Sequence, residues 1–167
     1  MSHNLRRHLA AGTCSGAALF AIGAAVLTPA TAAAAPDTEC RAPGAVTSSQ
    51  TADGAGCSAS SVEGAAAAAY GLGGIATADA GPTSLALAIA QNGGTASSTS
   101  TFLSGPAAIA LGPGASVTTT GIRPGLSIGI AGPGATVDVT GSSTPTCSGG
   151  MAFAGDFQTL QGCLSLS

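Results

Sequence analysis

From Ser84 onward, large apolar and small residues take turns along the chain. Leu85-Ala86-Leu87-Ala88-Ile89-Ala90 alternates strictly, and Leu126-Ser127-Ile128-Gly129-Ile130 does the same. A period of two marks a strand whose two faces meet different surroundings. Val117-Thr118-Thr119 and Val137-Asp138-Val139 set β-branched residues just after Gly-containing segments, as strands prefer. Between these runs stand Gly73-Gly74, Gly93-Gly94, Pro113-Gly114 and Pro133-Gly134. Gly and Pro suit turns, and Pro is unwelcome inside a paired strand.

Those pairs share one column when Ser61–Thr140 is written in rows of about twenty residues. Ala88-Ile89-Ala90 then lies over Ala108-Ile109-Ala110, and Leu111–Val117 over Ala131–Val137. A fixed period of this size is the signature of stacked units. Each row reads as strand, Gly corner, strand, looser corner. The predicted fold is therefore all-β: a short β-solenoid-like repeat of about twenty residues per row with disulfide-tied flanks. An antiparallel β-meander or sandwich is the alternative, and one detail speaks for it. With the Pro-Gly corners held in register, the bulky face flips between Ile109/Leu111 and Ile128/Ile130. A solenoid would need a one-residue bulge to absorb the slip.

The first row is harder to read. Ala65 to Ala69 has high helix propensity, but Gly64, Gly71, Gly73 and Gly74 crowd it, and so short a helix is marginal alone. The column position assigns it to a strand. Pro36–Ser60 shows no period and reads as an irregular flank. Gly141–Pro145 reads as a loop, Met151–Gly155 as a last short strand, and Cys163 as the tie that brings the tail back.

Residues 1–34 read as a secretory signal peptide, leaving 35–167 as a single secreted β-repeat domain. Arg6 and Arg7 make a basic start, Leu9–Leu27 is apolar, and small residues from Thr31 to Ala35 supply a cleavage site, placed after Ala34. A membrane anchor is the alternative, but the run is short and ends in the small-residue site. Arg6-Arg7 also fits a twin-arginine signal, so the export route stays open. The expected location is outside the cell or at its envelope, with no membrane span after processing.

Processing would change the available chemistry. The chain has no Lys and no Trp, and His3 and His8 leave with the leader. Arg41 and Arg123 then stand alone against Asp37, Glu39, Asp53, Glu63, Asp79, Asp138 and Asp156. Nucleic-acid binding needs clustered cations to displace counterions, so no nucleic-acid partner is expected. Phosphoryl transfer lacks its Lys, and a Ser-His or Cys-His nucleophile lacks its His. The expected partner is a cell-wall or host-surface component whose identity the sequence does not name.

Cys40, Cys57, Cys147 and Cys163 remain after processing. Export makes disulfides the default, with three connectivities open to four cysteines. The favoured one joins Cys40 to Cys57 and Cys147 to Cys163, because each pair brackets one flank of the repeat. A four-cysteine zinc site is the alternative, although no C-x-x-C spacing occurs.

An early pair of cysteines is followed by Ser61-Val62-Glu63-Gly64, an Ala-rich run ending in Tyr70-Gly71-Leu72, Ala/Leu/Ile strands with Gly-Pro-Gly-Ala corners, and Cys147-Ser148-Gly149-Gly150 before Cys163-Leu164. In this order and over Cys40–Leu166, the chain resembles a group of small secreted actinobacterial proteins classed as a domain of unknown function. The resemblance implies a secreted protein without an assigned activity and supplies no catalytic residue.

No catalytic, cofactor-binding or metal residue is therefore expected. Gly71-Leu72-Gly73-Gly74-Ile75-Ala76 fits the dinucleotide fingerprint G-x-G-x-x-A, but the next row is another strand pattern and Asp79 comes too early. Carboxylates are the remaining acid–base groups. Asp79 and Asp138 fall about three rows apart, roughly 14 Å in a stack, too far for glycoside hydrolysis. Ser98, Thr118 and Asp138 share one column, and Ser100, Thr120 and Thr140 another, as a broken hydroxyl ladder on an outer sheet face. The expected function is a secreted non-enzymatic structural or interaction protein of the cell envelope. The alternative is a small carboxylate-dependent hydrolase acting on cell-wall or extracellular glycan.

Overall fold

The computed structural model describes residues 37–167. The leader assigned to residues 1–34 lies outside the described residues. Among the described residues, fourteen strands form two seven-stranded sheets. The first sheet runs β1 (Asp37–Pro43), β4 (Ala66–Leu72), β6 (Leu85–Gln91), β8 (Ser104–Leu111), β10 (Gly125–Ala131), β13 (Met151–Asp156) and β14 (Gln161–Leu166). The second runs β12 (Thr146–Ser148), β11 (Thr136–Val139), β9 (Ser116–Gly121), β7 (Thr95–Ser100), β5 (Ile75–Ala80), β3 (Ala55–Ser61) and β2 (Thr47–Ala52).

Successive strands alternate between the sheets, and neighbours from β3 to β11 pair in parallel. The fold is thus a β-solenoid of about four turns. Parallel pairing excludes the meander, whose neighbours would run antiparallel. Antiparallel strands close both ends: β1 on β4 and β2 on β3 at one, β13 on β10 and β12 on β11 at the other. The expectation of an irregular flank over Pro36–Ser60 is corrected here. The segment has no repeat period, but the first coil leaves open edges whose backbone groups need partners, and β1 and β2 supply them.

The register slip has a definite place. Ala90 pairs with Ala110, but Ala110 pairs with Ala131, one residue beyond the regular repeat. On the other sheet Thr95 pairs with Ser116, one beyond, whereas Ser116 pairs with Thr136 at the regular interval. The extra residue therefore lies in the corner between β8 and β9. There Gly112 takes a φ of +107°, a conformation few residues other than Gly adopt. The repeat absorbs the slip in a turn and leaves its strands unbroken.

The interior is built from the smallest side chains. Facing inward along the first sheet are Cys40, Ala69, Ala88, Ala108, Gly129, Ala154 and Cys163, each paired with the next. Along the second sheet the matching column is Cys57, Ala76, Ala96, Val117, Val137 and Cys147. Both columns begin and end in cysteine. Cys40–Cys57 joins β1 to β3, and Cys147–Cys163 joins β12 to β14, each with its Cα atoms 5.7 Å apart. The disulfides are the terminal rungs of the core, stapling sheet to sheet at either end. The favoured pairing is the observed one, and the zinc alternative is overturned because every one of these sulfurs is in a disulfide.

Candidate functional site

A core of Ala and Gly brings the sheets close, so it has no room for Leu or Ile. Strand alternation then sends the Leu, Ile, Met and Phe side chains of the first sheet outward. Leu85, Leu87 and Ile89 on β6 alternate with buried Ala86, Ala88 and Ala90. Ile109 and Leu111 on β8 alternate with buried Ala108 and Ala110. Leu126, Ile128 and Ile130 on β10, Met151 and Phe153 on β13, and Leu164 and Leu166 on β14 extend the same face. Leu85 is 62% exposed and Leu126 64%. Burial is what normally holds such side chains inside, so a whole apolar sheet face turned to solvent marks an interaction surface.

The face has relief. Small Ala66 and Ala68 on β4 stand beside Leu85 and Leu87 on β6. Leu87 stands beside Ala107 on β8, which in turn stands beside Ile128 on β10. Low and high strands alternate across this half of the sheet and form a groove of about 450 Å³. Leu126 leans across β8: a Cβ at Gly105 would come within 2.7 Å of its Cδ2. The other half is uniformly bulky, with Tyr70, Ile89, Ile109 and Ile130 in one row.

On this face, charge among the described residues is confined to the β1 edge. Arg41 forms an ion pair with Glu39 there, and both are well exposed. The Tyr70 hydroxyl, and after it the Glu39 carboxylate, raise the Arg41 pKa above its ordinary value. Asp37 and Glu39 are two residues apart on the outward face of β1.

The opposite face is polar. Thr77, Ser97, Thr118 and Asp138 form one outward column, and Asp79, Thr99 and Thr120 the next. This corrects the ladder expected through Ser98 and Ser100. The extra residue before β9 pairs Ser98 with Thr119 and Ser100 with Gly121, so both serines face inward. Ser98 Oγ donates to the Pro106 carbonyl at 2.9 Å, and Ser100 Oγ shares a 2.7 Å hydrogen bond with Ser84 Oγ.

Asp79 and Asp138 do not converge on a cleft, whereas Asp37 and Glu39 line one open pocket at the β1 edge with Arg41, Gln50 and Tyr70. Asp79 on β5 and Asp138 on β11 have β7 and β9 between them, a separation of roughly 14 Å. Asp156 is buried but structurally occupied. Its Oδ1 accepts from the Gln158 amide at 2.9 Å, and its Oδ2 from Thr159 Oγ1 at 2.8 Å. Gln158 Oε1 in turn accepts from the Ile122 and Arg123 amides, tying the β13–β14 turn to the corner before β10. Gly71–Ala76 is the end of β4, a corner and the start of β5, with a parallel strand where a dinucleotide site needs a helix.

Sequence reading missed the apolar face because alternation shows that two faces differ without saying which one is buried. The scarcity of aromatics and the abundance of Ala were the available signal. No helix among the described residues is long and apolar enough to cross a membrane. No curated protein and no solved structure matches the chain. The model of one family, described as a family of unknown function (DUF6764), matches residues 3–166, and the chain belongs to that family.

Proposed function

We propose that this protein is a non-enzymatic structural or interaction protein of the cell envelope that works through the outer face of its first sheet. The carrying observation is the inversion of size across that sheet, with Ala inside and Leu, Ile, Met and Phe outside. Selection for folding alone would not keep a broad apolar face in water, where it promotes association. The two disulfides suit an oxidising compartment, and the basic-apolar-small order of residues 1–34 suits export.

The test is fractionation after expression of the full chain in an exporting host. The parent should be recovered with the envelope. A Leu87→Ser/Ile109→Ser variant should move to the soluble fraction while keeping its β circular dichroism. A parent found wholly in the soluble fraction overturns the reading.

The hydrolase alternative has one observation in its favour. Asp37 and Glu39 share a strand face at a spacing of about 6.6 Å, near the range of inverting glycosidases. Their exposure and the Arg41 ion pair deny them the dry environment that tunes catalytic carboxylates. Release of sugar from cell-wall glycan by the parent, abolished in Asp37→Asn, would favour it.

A further inference from the structure

We infer that the partner of the first sheet's outer face is a second copy of this chain, packed face to face. This rests on the proposed interaction role of that face and names its occupant.

Area gives the first argument. From β4 to β14 the face is six strands wide and about seven residues long, which at about 4.8 Å per strand and 3.3 Å per residue is on the order of 650 Å² before side-chain relief. The largest apolar patch of an ordinary monomer is about 300–600 Å². A stable complex covers about 800 Å² on each partner. The face matches one side of a dimer, whereas a ligand seated in the groove alone would leave the bulky half in water.

Relief gives the second. A two-fold axis parallel to the strands and midway between β8 and β10, the centre of those six strands, carries β8 over β10, β6 over β13 and β4 over β14. Leu126 and Ile128 of each copy then meet the low strand holding Gly105 and Ala107 in the other. Ridge enters groove at four places from one operation, the self-complementarity that an isologous interface requires. Sheets packed this way lie about 10 Å apart with near-aligned strands.

Charge gives the third. The Arg41–Glu39 pair at the β1 edge borders the apolar area, with Arg41 lining one end of the groove, as a polar rim does around an interface core. An anionic lipid surface would compete for the same face, but it draws proteins through clustered Lys and Arg. This chain has no Lys and a net charge of −3.

The test is sedimentation equilibrium of the protein purified from the full chain in an exporting host, beside Leu87→Asp, Ala107→Leu and, on the opposite face, Thr99→Asp. The parent and Thr99→Asp should sediment at twice the chain mass. Leu87→Asp should weaken association at least about tenfold, that is by about 1.4 kcal/mol. Ala107→Leu separates fit from greasiness: it makes the face more apolar but fills the groove, and should also weaken association about tenfold. A monomeric parent, an Ala107→Leu variant that associates as tightly as the parent, or a parent that floats as a monomer with phosphatidylcholine vesicles would each overturn the inference. Envelope fractionation reads the underlying role separately. A monomer retained in the envelope removes only the second copy, and a dimer free of the envelope removes only the envelope role.

Discussion

Gly129 gives way to Val117. A Cβ built on Gly129 would lie 2.8 Å from Val117 Cγ1 and 2.9 Å from Val137 Cγ1. Between its terminal cysteines the first-sheet column is otherwise Ala, and the second-sheet column carries Ala at Ala76 and Ala96 before it changes to Val. Here the second sheet carries Val and the first has shed its side chain, so the spacing between sheets is kept.

Gly129→Ala should therefore destabilise, although Ala is ordinarily the better residue in regular structure. Overpacking a tight core costs about 1–3 kcal/mol, and that range is expected by urea unfolding. Combining it with Val117→Ala should cost less than the sum of the two single changes, since the second removes the methyl groups the first collides with. Strict additivity would show that the two do not share space.

Much of this fold was legible. The column that sets Ala88 over Ala108 and Val117 over Val137 is the stacking register, apart from a first turn one residue short, where Ala69 pairs with Ala88, and the extra residue near Gly112. The disulfide pairing followed from where the cysteines bracket the repeat. The capping strands were not legible, because β1 and β2 are held by an open edge and not by a pattern of their own. Nor was the site. Leu85-Ala86-Leu87 announces two faces, and only the inter-sheet distance decides that Ala is the one inside.

Each disulfide should contribute similarly. Cys40–Cys57 and Cys147–Cys163 span 17 and 16 residues, loops for which the chain-entropy model gives about 3 kcal/mol. Cys40→Ala/Cys57→Ala and Cys147→Ala/Cys163→Ala should each lose about that much in denaturant unfolding. A loss near zero for one pair would show that its end of the solenoid is held by strand pairing alone.

Thr119 is fully buried on β9, and its Oγ1 finds no hydrogen-bond partner among the described residues. An unmet buried hydroxyl costs about 1–3 kcal/mol, and Val has nearly the same shape. Thr119→Val should raise stability by roughly 1 kcal/mol, read as a higher urea midpoint at unchanged slope. A fall would mean that the hydroxyl has a partner.

The strand β11 separates an exposed carboxylate from a core contact within two residues. Val137 and Val139 are buried, and Asp138 between them faces solvent beside Thr118. Among the described residues Asp138 makes no ion pair or side-chain hydrogen bond that its loss would break. Asp138→Asn should thus change stability by no more than about 0.5 kcal/mol, as surface substitutions do. Val137→Ala removes two methyl groups packed against the Gly129 backbone, and leaves space that a rigid parallel stack closes poorly. It should cost roughly 1–3 kcal/mol. The two variants are compared by urea unfolding beside the parent. The same Asp138→Asn protein also bears on the hydrolase alternative. Any glycan-cleaving activity of the parent should survive in it undiminished, since its carboxylate stands alone on an open sheet face. An Asp138→Asn variant more damaged than Val137→Ala would mean that β11 presents its other face to the core, and the inner column from Cys57 to Cys147 would then be wrong.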